Sequence, residues 1–199
     1  MLPSFRKILR STKGQSLIEI MLIAPLMMAL TFGAIEVGSV ISTYLTMSHT
    51  SREGANLASR GMSPKDTLDA IIAAASPTIR EGASGNDPQW RIIYSKIVRD
   101  LTVPCLPAQP CKYIVDTAPA PNVGQIVRGG LNKTSKLGLP DGSQIPQNVL
   151  PGIENVKDNQ KFHVIEVFYN YAPNIITYVG KGINTDLYER TIFTDISGS

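Results

Sequence analysis

The sequence predicts an α+β protein in which one long N-terminal helix, a second helix and a small antiparallel sheet share the chain. Three observations carry this. Residues 17–35 form an apolar run of 19 residues with a single charge. Residues 64–75 repeat apolar side chains at helical spacing behind a Ser-Pro start signal. Residues 162–171 and 187–194 are β-branched and aromatic runs of strand length. With 199 residues there is room for one domain with a core and an appended helix.

The long helix comes first. At 1.5 Å per residue, a helix over 17–35 has about the length of a hydrocarbon layer. Arg6, Lys7, Arg10 and Lys13 precede it with no Asp or Glu among them. That bias places the N-terminus in the cytoplasm and everything after the span outside the membrane. The same four charges account for the basic balance: the formal net charge of +3 falls to −1 without them. A nucleic-acid footprint is therefore not expected in the rest.

Within the span, Pro25 removes one backbone hydrogen bond, so a kink or local unwinding is expected there. Gly33 and Gly38 thin the helix surface and permit close approach by another helix. Glu19 is costly at a membrane edge unless it has a partner or reaches the headgroups. Glu36 lies 17 residues further on, about 25 Å along a helix, at the opposite boundary, where a carboxylate is cheap. Membrane lipid is thus an expected partner.

Helix continues past the span. Val37, Ile41, Tyr44, Leu45, Ser48, Arg52 and Ala55 recur at three- and four-residue steps and are read as one face. Gly61 is the stop. Ser63 caps the next helix with Pro64 at its first position, and Leu68, Ile71, Ile72 and Ala75 form its apolar face. Pro77 and the 82–88 stretch end it. Residues 91–98 fit strand or helix, and β-branched content favours strand. Residues 112–116 and 125–128 are short strands, and 129–160 is a surface excursion rich in Gly, Pro, Asn and Lys. Residues 162–171 alternate, with Tyr169 and Tyr171 on one face and Phe168 on the other. One face is core, and exposed aromatics on the other, with Tyr178, would be a partner patch. Residues 187–194 pair antiparallel to that strand.

Cys105 and Cys111 bracket Leu-Pro-Ala-Gln-Pro. They can close a small disulfide loop in an oxidising compartment; free thiols are the alternative. Two thiols are too few for a structural zinc site, so no metal is expected. His49 and His163 are read as surface or interface residues. Asp66, Asp69, Glu81, Asp87 and Asp100 are scattered and read as solvated. Gly180-Lys181-Gly182 is too short for a phosphate loop, and no metalloprotease helix or nucleophile elbow appears. No cofactor and no enzymatic activity are expected. Asn132-Lys133-Thr134 matches a glycosylation triplet, a pattern short enough to arise by chance.

Three processing readings compete for the N-terminus: a secretory cut around Thr31-Phe32-Gly33, a lipoprotein cut that would need a cysteine, and a cut on the cytoplasmic side of the span. The third has a motif. Lys13-Gly14-Gln15-Ser16-Leu17-Ile18-Glu19 resembles the type IV prepilin signature, in which a basic leader ends in Gly and a Glu stands fifth in the mature chain. The resemblance implies a cut after Gly14, a new N-terminus at Gln15, and pairing of Glu19 with a free amine during assembly. Ala34-Ile35-Glu36-Val37-Gly38, Tyr44 and Arg52-Glu53-Gly54 are similar to the TadE-like family of pilus assembly proteins, whose TadF-type relatives share the anchor. So is the strand that carries Glu166, Tyr169, Tyr171 and Pro173. The resemblance implies a minor pseudopilin of a tight-adherence system in the bacterial inner membrane, with a periplasmic C-terminal domain. Its implied partners are a prepilin peptidase, other pilin-like subunits and an inner-membrane assembly platform. The expected division is a leader at 1–14, a transmembrane and stalk helix at 15–61, and a periplasmic α+β domain at 62–199. An unprocessed bitopic binding or scaffold module is the alternative.

Overall fold

The computed structural model describes residues 12–76, 78, 89–102, 113–116, 125–137, 160–172 and 185–194. Its elements are two helices, α1 (Thr12–Ser59) and α2 (Pro64–Ala75), and five strands: β1 (Trp90–Arg99), β2 (Tyr113–Val115), β3 (Gln125–Arg128), β4 (Lys161–Tyr171) and β5 (Thr185–Thr194). This is the expected α+β layout. The described residues form two compact units, one holding α1 as far as Ile41, the other holding α1 from Ser42, α2 and the sheet. Cys105, Cys111, Pro173, Tyr178, Pro77, residues 82–88 and Gly180-Lys181-Gly182 lie outside the described residues.

In the first unit α1 runs through Pro25 without interruption, so the local unwinding expected there is absent. Proline removes one N–H but its fixed φ is compatible with a helix. Leu22, Met21 and Ile20 are 73%, 66% and 63% exposed, and apolar side chains stand out on all sides as far as Ile35. Glu36 is buried, at 7% exposure.

In the second unit, the end of α1 follows from local chemistry. Gly61 adopts φ +87°, a conformation that glycine takes without a Cβ clash. This lets Met62 N–H donate to the Leu57 carbonyl (3.3 Å) and Gly61 N–H to that of Ala58 (3.0 Å), closing the helix with a Schellman turn. Ser63 then caps α2, its Oγ accepting from Asp66 N–H at 3.2 Å, with Pro64 at the first helical position. Leu68, Ile71, Ile72 and Ala75 are the buried face of α2, as their spacing predicts.

The sheet has the order β2-β1-β4-β5, with β3 also pairing β1, and every pairing is antiparallel. β1 and β4 are central. Nine consecutive residue pairs join them, from Trp90↔Tyr169 to Val98↔Lys161. On one face Trp90, Ile92, Tyr94, Ile165 and Val167 meet Met47, Ala55 and Ala58 of α1 and Leu68, Ile71 and Ile72 of α2. On the other, Ile93 and Phe168 pack with Leu131, and Ile97, Val115, Phe162 and Val164 with Leu137.

Three expectations change here. β4 is a strand, but it is buried on both faces from Phe162 to Phe168. Tyr171 and Phe168 are both core, and Tyr169 packs against the helix-side core. The 129–160 excursion is not all surface: Leu131 and Leu137 enter the core and cover the face opposite the helices. Gly129 makes this possible. Its φ is +89°, and a Cβ there would lie 2.6 Å from Cε3 of Trp90. The third change concerns the stalk. Val37, Ile41, Tyr44, Leu45 and Arg52 are exposed, while the buried stripe from Ser42 onward is Met47, Thr50, Ser51, Gly54, Ala55, Ala58 and Ser59. Small side chains let α1 approach α2 and the sheet closely, so size decided the inner face where apolarity had suggested another.

Candidate functional site

Two places collect the residues singled out by sequence: the apolar segment of α1, and the ground around Glu166.

Glu19 is exposed on the apolar stretch of α1. The Gly14–Gln15 bond lies within α1, whose described residues start at Thr12. At Gly33 and Gly38 a Cβ would meet nothing within 4 Å. The packing of this chain therefore does not require glycine at either position. Among the described residues one helix is long and apolar enough to cross a membrane.

In the second unit, Arg52-Glu53-Gly54 divides its work. Arg52 and Glu53 are exposed. Gly54 is the notch into which Ile71 of α2 fits, since a Cβ there would lie 2.6 Å from Ile71 Cγ1. One turn earlier, Ser51 Oγ and Thr191 Oγ1 are 2.8 Å apart, and Tyr44 donates to Glu189 of β5 at 2.9 Å. The acceptor bond to Glu189 and its negative charge push the Tyr44 phenol above its ordinary range.

Glu166 is fully buried. A carboxylate so placed must be satisfied by donors, and three converge on it. Ser135 donates through Oγ, Lys136 through its backbone N–H at 2.9 Å, and Tyr188 through its hydroxyl at 2.9 Å. Ser135 Oγ in turn accepts from Leu137 N–H at 3.1 Å. Burial first, then the Glu166 charge and hydrogen bond, push the Tyr188 phenol far above its ordinary range. Glu166 thus fastens residues 135–137 to the sheet. The same segment is held at its start, where Arg91 donates to the Leu131 carbonyl at 2.9 Å and Leu131 N–H to that of Trp90 at 3.1 Å. Lys133 pairs with Asp186 at 2.5 Å, and Lys136 Nζ stands 3.8 Å above the Tyr188 ring.

The resemblance singles out Glu166 only as part of a similar strand, Tyr188 falls in the expected 187–194 strand, and no motif marks Ser135 or Lys136. The available signal was an acid inside Val-Ile-Glu-Val-Phe, a run too apolar for a solvated residue. Other polar residues are also placed differently than expected. His163 is buried, with Nδ1 2.7 Å from the Tyr94 hydroxyl. Asp100 is buried and accepts from Thr102 N–H and Oγ1. His49 is exposed, as expected. Among the described residues no group of three or more His, Cys, Asp or Glu is arranged to hold a metal ion.

An exposed apolar helix that runs on into a folded α+β unit fits a single-pass membrane anchor with a domain attached. Residues 14–56 match the model of the family described as TadE-like protein, which supports a TadE-like, pilus-related membrane protein. The match takes in the apolar segment and nearly all of the stalk, and ends before α2. No curated protein and no solved structure matches the chain.

Proposed function

We propose that this chain is a minor pilin-like subunit acting in the assembly of Flp-type pili, anchored N-in in the bacterial inner membrane and cleaved by a prepilin peptidase after Gly14. The observation that carries the reading is the coincidence of the TadE-like match with α1. The matched residues are those that are apolar and exposed before Ile35, and those that pack small side chains on the sheet after Ser42. An element of this kind retains the subunit in the membrane while its domain stays outside. The work is recognition and packing. Glu166, the one fully buried acid among the described residues, has its oxygens committed to three structural donors.

Cleavage on the cytoplasmic side of the span leaves the anchor on the mature protein and frees the amine of Gln15 beside Glu19. In low dielectric such a pair orients neighbouring helices more than it adds net stability. N-terminal sequencing of membrane protein from cells with and without the peptidase tests the processing. The mature chain is expected to begin at Gln15, and Gly14→Ala to leave the longer species. An N-terminus unchanged by the peptidase rejects cleavage. Glu19→Gln separates the assembly reading from an unprocessed scaffold: assembly predicts loss of pili with the domain still folded, and full piliation counts against it.

A further inference from the structure

β1 gives one edge to β4 from Trp90 to Val98, so β2 and β3 share the other. Both run antiparallel to β1, β2 against Arg99 to Ile97 and β3 against Ser95 to Ile92. The step between them is filled too. Asp116 follows β2, and its N–H donates to the Lys96 carbonyl at 2.8 Å. The partners of β1 therefore run without a gap from Tyr113 opposite Arg99 to Arg128 opposite Ile92. Asp116 and Gln125 stand against consecutive residues, Lys96 and Ser95, and no rung of β1 is left between them. Residues 117–124, which join the two, lie outside the described residues.

The pleat keeps its phase across the same join. Tyr113 and Val115 belong to the core on the side away from the helices, and alternation sends Ile114 and Asp116 to the helix side. If Gln125 simply followed Asp116, Ile126 and Arg128 would again face the helices. They do. Ile126 packs against the helix-side core, and Arg128 pairs with Asp69 of α2 at 3.5 Å. Each side of the join is also fastened to β1. Lys96 pairs with Asp116 at 2.8 Å, and Gln125 donates through Nε2 to Ser95 Oγ at 3.1 Å.

We infer that β2 and β3 are one strand, and that residues 117–124 are an insertion between two neighbouring rungs on which the fold does not depend. This holds whether or not the chain acts in pilus assembly. An insertion so placed can change in length and sequence while the helices and the core keep their places, the freedom that lets a connecting segment take on recognition.

Two excisions in the full-length protein test it, read by denaturant unfolding in detergent and by amide hydrogen exchange. Removing residues 117–124 joins Asp116 to Gln125 in register. The unfolding midpoint is expected to equal or exceed that of the wild type, since a loop no longer has to be closed, and exchange protection across 92–99 is expected to be retained. Removing residues 117–125, one residue more, joins Asp116 to Ile126 and slips the second half by one. That slip turns Ile126 away from the helices and Arg128 away from Asp69, so the midpoint is expected to fall and protection at 92–95 to be lost. A first variant whose midpoint lies below that of the wild type overturns the inference. So does a second variant that matches the wild type, since the phase of the pleat would then count for nothing.

Discussion

The two halves of α1 belong to one helix and obey different rules. Before Ile35, large apolar side chains cover the whole circumference and are half exposed or more nearly throughout. After Ser42, the buried stripe is Met47, Thr50, Ser51, Gly54, Ala55, Ala58 and Ser59, and large apolar Leu45 is outside. A helix apolar on all sides is matched to an apolar surround. A helix whose inner face is small and partly polar is matched to close packing against protein. Apolarity therefore marks the first half, and side-chain size marks the second.

Gly54→Leu should break the second rule most sharply. Ile71 occupies the space that the new side chain needs, and overpacking of this kind costs about 3 kcal/mol. Denaturant unfolding of the full chain in detergent measures it. Gly33→Ala, where a Cβ meets nothing, is expected to change the same midpoint by less than about 0.5 kcal/mol. Equal effects would erase the distinction between the halves.

Glu166→Ala comes next. It leaves three inward-facing donors without an acceptor, at a cost of about 3 kcal/mol by the penalty for unsatisfied buried polar groups. Protease nicking between residues 131 and 137 should rise along with the loss of stability. Ser63→Ala removes the cap of α2 and should cost about 1 kcal/mol, readable by the same unfolding curves.

The smallest effect is a pH dependence. The Tyr188 phenol is raised in the folded protein, so the unfolded chain loses this proton first as pH rises. Stability from this group is complete below the unfolded phenol value near 10 and declines above it. Tyr188→Phe should therefore lose less stability than the wild type between about pH 10 and 12, as thermal unfolding across that range would report. A wild-type slope retained in the variant would assign the alkaline loss to other groups.

Much of the architecture was legible because its signals are local. The apolar run, the Ser63-Pro64 start, the face of α2 and the strands at 91–98, 125–128 and 162–171 each follow from spacing or composition within a few residues. The inner face of the stalk was not, because Gly54 is explained only by Ile71, which lies 17 residues away in another helix. Leu131 and Leu137 were hidden by polar neighbours that spell a loop. The Glu166 cluster joins β4, β5 and a segment some 30 residues earlier, and no local pattern announces such a meeting.

The long-range pairing of β1 with β4 also sets a timetable. Trp90 finds its partner only when Tyr169 has been made, and the inner stripe of the stalk, complete by Ser59, finds Ile165 and Val167 only then. At roughly 5–20 residues per second of synthesis, about 100 residues separate the two events by about 5–20 s. During that interval the stalk's inner face has no sheet to rest on. Small and hydroxyl-bearing side chains at Thr50, Ser51, Gly54, Ala55 and Ser59 make that wait less hazardous than a row of leucines would.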